Sequence, residues 1–160
     1  MPRVYTIQFD NISVAAAQDL FSVAPASGKT VKILGFNIDP VGGVDDVGDA
    51  EEENLRLQLI RGHTTAGSGG ASVTPVPNDE IDTAAGATCR RNDTTVASAG
   101  TAVNCWSGGL NVRAGVPYML PEKMQPQVTN ATASNRIVLR MLSTPADAVL
   151  FSGTLWFEEA

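Results

Sequence analysis

The sequence predicts an all-β fold: a single β-sandwich domain of jelly-roll type, with roughly eight to nine antiparallel strands and long polar loops. Three observations carry this expectation. Apolar and polar residues alternate at period two in one short run after another, and no apolar segment keeps helical spacing for long. Clusters of Gly, Ser, Thr and Asn separate the runs. Strand–helix–strand alternation does not occur, which excludes a parallel sheet with crossover helices. A chain of 160 residues suits one domain spanning 1–160, able to bury about 70% of its unfolded surface.

The elements follow in order. Arg3 to Phe9 alternates cleanly, with Tyr5, Ile7 and Phe9 on one face and Thr6 and Gln8 on the other. A second run, Asp19 to Val23, stops at the turn composition Ala24-Pro25-Ala26-Ser27-Gly28. Lys29 to Ile38 is a longer strand. Val31 and Ile33 share one face, then Leu34, Phe36 and Ile38 take the other. A phase change of this kind near Gly35 predicts a bulge, or burial on both sides. Between Asp45 and Glu53 Asp49 has the spacing of a helix cap with Glu52. At most one helical turn fits there, because Leu55, Leu57 and Leu59 return to period two in a strand through Arg61.

Gly62 to Ser72 reads as a mobile connection rich in Gly, Ser and Thr. Val73 to Pro77 is extended, but its two prolines keep it out of a central ladder position. Small polar residues dominate Asp82 to Gly100, with Arg90-Arg91-Asn92-Asp93 expected at a loop tip. Val103 to Val112 holds a strand interrupted at Gly108-Gly109, and Tyr118 to Leu120 is a short run. The last two strands are the clearest. Ile137, Leu139 and Met141 share one face of Asn135 to Leu142, with Val138 and Arg140 opposite. Val149, Phe151, Leu155 and Phe157 point inward from the final strand, with Ser152, Thr154 and Trp156 outward. Ser143 to Asp147 reads as a hairpin-type connection between the two.

Composition narrows the function classes. A net charge of −6 argues against a phosphate-binding surface, so no nucleic-acid partner is expected. No apolar run nears the ~20 residues of a membrane span, and Met1-Pro2-Arg3-Val4-Tyr5 enters a strand without signal-peptide features. A soluble product made in the cytoplasm is expected. Cys89 and Cys105 lack C-x-x-C spacing and histidine partners; two free thiols are expected, with a disulfide as the alternative.

Chemistry is sparse. His63 is the single histidine, and a general base needs a nucleophile and an orienting group held around it. One histidine also excludes a multi-histidine metal cluster of the cupin kind. Asp39, Asp45, Asp46, Asp49, Glu51, Glu52 and Glu53 form an acidic stretch dense enough for calcium, but without EF-hand spacing, and read as a solvated loop. Gly67-Ser68-Gly69-Gly70 lacks the lysine and helix of a phosphate loop. No catalytic residue, metal ligand or cofactor is assigned, and the expectation is a protein that is not an enzyme. Arg90 and Arg91 suit bidentate contact with carboxylates of a partner. Trp106, Trp156, Tyr5 and Tyr118 are candidates for a sugar-binding surface, although Tyr5 sits on an apolar face and scattered aromatics are more often core and edge cover; Trp156, outward on a terminal strand, is a candidate for subunit contact. Trp156, Arg90, Arg91 and Trp106 are therefore the residues assigned to partner contact.

The opening Tyr5-Thr6-Ile7-Gln8-Phe9-Asp10-Asn11-Ile12-Ser13-Val14, with Gln18-Asp19-Leu20-Phe21, resembles small tailed-phage virion proteins of the capsid decoration, or cement, type. So do Leu55-Arg56-Leu57-Gln58-Leu59-Ile60-Arg61-Gly62 and the closing Ser152-Gly153-Thr154-Leu155-Trp156-Phe157-Glu158-Glu159. The likeness rests on strand patterns at both ends and in one middle strand; Gly62 to Gly109 carries none of it. It implies a β-sandwich on the capsid exterior of the virion, made in the host cytoplasm. Such a protein binds the major capsid protein and itself, commonly as a homotrimer. An interface of ~1,200–2,000 Å² supports specific binding, and repeated copies add avidity. The alternative is a receptor- or glycan-binding module of a phage head fibre or tail, built on a platform near Trp106 or Tyr118.

Overall fold

The computed structural model describes residues 1–41, 52–130 and 135–160. Among these residues the chain forms twelve strands. They are β1 (Arg3–Val14), β2 (Gln18–Ala24), β3 (Thr30–Pro40), β4 (Asn54–His63), β5 (Ala71–Val73) and β6 (Val76–Pro77). Then follow β7 (Thr88–Asp93), β8 (Val103–Asn111), β9 (Val116–Met119), β10 (Gln127–Thr129), β11 (Arg136–Met141) and β12 (Val149–Glu159). A 3-10 turn, Glu122–Met124, joins β9 to β10. The strand count exceeds the expected eight to nine because β5, β6, β9 and β10 are edge pieces of two to four residues. Pieces that short do not register as a period-two pattern.

Two antiparallel sheets result. The first runs β10-β3-β12-β1-β6, with β9 also on β3; the second runs β5-β7-β2-β11-β4-β8. Successive strands β1, β2, β3 and β4 alternate between the sheets, and so do β11 and β12. The expected hairpin at Ser143 to Asp147 is therefore a crossing from one sheet to the other. Period two tells which side chains point inward, but not which sheet a strand joins. The proline-bearing stretch lies at the sheet edges: β5 ends the second sheet and β6 the first. A missing amide donor costs nothing on such an edge.

The core lies between the sheets. Tyr5, Ile7, Phe9, Leu155 and Phe157 from the first pack against Phe21, Val23, Leu57, Leu59 and Leu139 from the second. Phe9 meets Phe21 with ring centroids 5.1 Å apart. A tilted pair of this kind adds about 0.5–1.5 kcal/mol beyond its burial. The phase change near Gly35 is a bulge: Trp156 pairs with Gly35, and the next residue, Phe157, pairs with Ile33. Leu34 is the extra residue, so Val31, Ile33, Phe36 and Ile38 are all buried on one side. A second bulge interrupts β1 between Phe9 and Ile12, where Asn11 takes φ 53°.

Three further expectations change. Gly62 to Ser72 is tied down: Thr65 and Ser98 exchange backbone hydrogen bonds of 2.9 and 3.1 Å, and Ser68 and Thr95 exchange two of 2.9 Å. Arg90 to Asp93 is strand β7, not a loop tip. The disulfide alternative falls as well, because β7 and β8 lie four positions apart in one sheet. At ~4.8 Å per strand that is about 19 Å, against the ~7 Å limit for bridged Cα atoms. Both thiols are free. Within the acidic stretch, Asp45 to Glu51, including the Asp49 cap, lies outside the described residues.

Candidate functional site

Among the described residues the outer face of the first sheet is open around Trp156. Register aligns Val76, Thr6, Trp156, Gly35 and Met119 in one row across β6, β1, β12, β3 and β9. Val76 is 56% and Met119 64% exposed, and Trp156 is half-buried between them. Gly35 permits this surface: a Cβ there would sit 2.5 Å from Met119 Sδ and 2.6 Å from the Tyr118 carbonyl. On the neighbouring row Lys32 pairs with Glu158 at 3.0 Å.

The outer face of the second sheet is covered by the paired segments 64–70 and 94–100. Beneath them Ile60, Ala97 and Val138 form a small apolar cluster of their own. Beside it lie two buried carboxylates, Asp19 and Asp93, paired in register on β2 and β7. Arg140 donates from Nε to Asp19 Oδ1 at 2.6 Å and from Nη2 to the Ala97 carbonyl at 2.9 Å. Asp19 Oδ2 also accepts the Ala97 amide at 2.7 Å. Arg90 grips Asp93 with Nε at 2.9 Å and Nη2 at 2.8 Å, and Asp93 accepts the Gly70 amide at 3.1 Å. The hydrogen bond to Asp93 raises the Arg90 pKa, whereas burial, followed by the charge of Arg90, lowers that of Arg136.

These contacts divide the two candidate arginines. Arg90, expected at partner contact, is engaged within the fold through Asp93, which also accepts the Gly70 amide of the covering loop. The polar run Arg90 to Asp93 reads as a solvated tip only because sequence does not disclose that segments 64–70 and 94–100 cover it. Arg91 shares the face of Cys89 and Phe21 by register, at the edge where β7 approaches β1. It is half-buried, and its guanidinium makes no hydrogen bond or ion pair among the described residues.

Trp106, also expected at partner contact, is partly buried against the core. Its ring lies 5.2 Å from Phe36, edge-on, and 5.0 Å from Tyr118, closing the gap between β8 and β9. A Cβ at Gly108 would fall 2.4 Å from Trp106 ring atoms, so that glycine seats the indole. The rings pack on one another and on the core margin instead of standing side by side as a platform. Tyr5 is buried, its hydroxyl donating to the Thr83 carbonyl at 2.9 Å.

His63 ends β4, with Nδ1 3.1 Å from the Ala99 carbonyl. Among the described residues no three His, Cys, Asp or Glu side chains gather to hold a metal ion, and no helix is long and apolar enough to cross a membrane. Cys89 is buried, which pushes its thiol pKa up, with the Glu159 charge adding to the effect.

Sequence reasoning missed one polar cluster. A cleft of about 550 Å³ is lined by Gln8, Asp10, Asn37, Asp39, Ser152 and Thr154, with Arg91 at its edge. Period two turns these residues outward on three strands, but only the register places Gln8, Thr154 and Asn37 in one row, and Ser152 and Asp39 in the next. No family model, curated protein or solved structure matches this chain.

Proposed function

We propose that this protein is a structural virion component that decorates the assembled capsid, binding the major capsid protein and itself. The observation that carries the reading is the open outer face of the first sheet, centred on Trp156 and flanked by exposed Val76 and Met119. A half-buried tryptophan on a sheet, with exposed Val76 and Met119 at the two ends of its row, suits an interface centre, where aromatic anchors dominate binding. The alternation of strands between sheets supports a jelly-roll winding, in which β1-β12-β3 faces β2-β11-β4-β8. The strand-pattern resemblance to cement proteins supplies the capsid as partner.

The test is sedimentation with purified particles, together with the mass of the free protein by light scattering. Recovery on particles at a fixed ratio to the shell subunit is expected, as is a trimer in solution. Trp156→Ala is expected to lose the trimer while its melting temperature stays near that of the parent. A monomeric parent that stays in the supernatant would sink the reading.

A further inference from the structure

The clefts on either side of Arg91 differ in what they lack. In the larger, the hydrogen-bonding groups are mostly acceptors. Asp10 takes the Ser152 hydroxyl and Asp39 takes the Asn37 amide at 2.8 Å, leaving other carboxylate lone pairs open. Asn37 Oδ1 is buried and has no partner. The smaller cleft, of about 270 Å³, lies between Ile12 and Ser13 on one side and Gly69 and Gly70 on the other, with Gln18, Arg91 and Asn92 lining it. There a donor is unmatched. Asn92 is only 8% exposed; its Oδ1 accepts Gln18 Nε2 at 3.0 Å, and its Nδ2 has no partner. An unpaired buried amide group is costly unless a ligand or water completes it.

Arg91 lines both clefts, and its guanidinium is unclaimed by any acceptor among the described residues. A guest that satisfies this arrangement offers a carboxylate to Arg91 and Asn92, and hydroxyl donors to Asp10, Asn37 and Asp39. Phe9 and Val73 in the larger cleft and Ile12 and Ala71 in the smaller give the site apolar walls, against which the polar groups converge. A wholly apolar guest would leave those groups unpaired. Closely spaced hydroxyls, by contrast, match polar groups on adjacent strands about 4.8 Å apart. We infer that the paired clefts about Arg91 form a binding site for a carboxylate-bearing saccharide, of uronic or sialic acid type. Arg91 holds the carboxylate in a two-pronged contact, the geometry in which arginine outperforms lysine. The reading does not depend on the capsid role, because glycan retention and particle mass are separate measurements and either can fail alone.

The test is an array of oligosaccharides ending in glucuronate, galacturonate or sialate, printed beside their neutral parents and probed with the whole chain. Retention of one or more acidic glycans over the neutral parent is expected. Arg91→Gln should weaken it by about tenfold or more, the loss of one charged hydrogen-bond contact. Asn37→Ala should weaken it less, by removing one hydroxyl contact in the other cleft. Melting curves for both variants exclude loss of fold as the cause. Retention of neutral glycans alone, or acidic binding untouched by Arg91→Gln and Asn37→Ala, would overturn the inference. So would a melting temperature raised by calcium chloride in a protein that retains no glycan, since the cleft would then be a cation site.

Discussion

The two sheets bury similar apolar inner faces but finish their outer faces in opposite ways. The first leaves Trp156 and its row open on a flat ladder, flanked by one surface ion pair, Lys32 with Glu158. The second is covered by segments 64–70 and 94–100 and places two carboxylates beneath them, held by arginines. The difference teaches where polar residues act as structure and where apolar ones act as surface. Asp19 is 1% exposed, so its charge is tolerated only because Arg140 and the Ala97 amide enclose it. Trp156 tolerates solvent because its burial is only partial. Charge is therefore internal on one sheet, and an aromatic is external on the other.

The largest expected effect breaks the covered face. Asp19→Ala leaves Arg140 buried without its carboxylate and should cost about 3–5 kcal/mol, read by urea unfolding. Replacing the pair together, Asp19→Leu with Arg140→Met, should recover only part of that loss: no charge is left unpaired, but the Ala97 amide and carbonyl lose these partners. A smaller effect belongs to the open face. Trp156→Ala should weaken self-association by about 2 kcal/mol or more, measured by sedimentation, while shifting chain stability far less. Equal losses in association and folding would make Trp156 a core residue and erase the contrast.

A third expectation concerns alkaline pH and the interior the two sheets share. Burial raises the Cys89 thiol pKa above its ordinary value of 9.0. The folded chain then keeps a proton that the unfolded chain releases. The contribution is fully present below pH 9.0 and is lost as pH rises through the folded value. Between pH 9.0 and the folded value stability should fall by about 1.4 kcal/mol per pH unit for this one group, and it should level off beyond. Cys89→Ala should flatten that slope, and a slope unchanged by the substitution would place the titrating group elsewhere. The smallest expected effect is that of His63→Ala. One ring nitrogen meets the Ala99 carbonyl and the other has no partner, so thermal melting and particle binding should both change little.

Legibility followed the apolar pattern closely. Inward Tyr5, Ile7, Phe9, Leu155 and Phe157, and outward Trp156, were readable because a single strand carries its own period. The phase change near Gly35 was readable as a bulge or as burial on both sides, and the register decided for the bulge at Leu34. Arg90 was not, because its partner Asp93 and the covering Gly70 amide come together only through β7 pairing and the path of a distant loop. The Arg91 clefts were equally hidden, since Asp10, Asn37 and Ser152 come from three strands remote in sequence. The packing of Trp106 was hidden for a similar reason: its ring partners Phe36 and Tyr118 lie on other strands.

By itself the sequence determined the all-β character, the inward faces and the edge position of the proline-bearing strands, since each depends on side-chain alternation or a missing donor within a few residues. Tertiary structure alone decided which sheet received β11 and β12, which outer face was covered and which arginine stayed unpaired. Those outcomes depend on cross-strand register and loop docking, and such contacts join residues that no local pattern links.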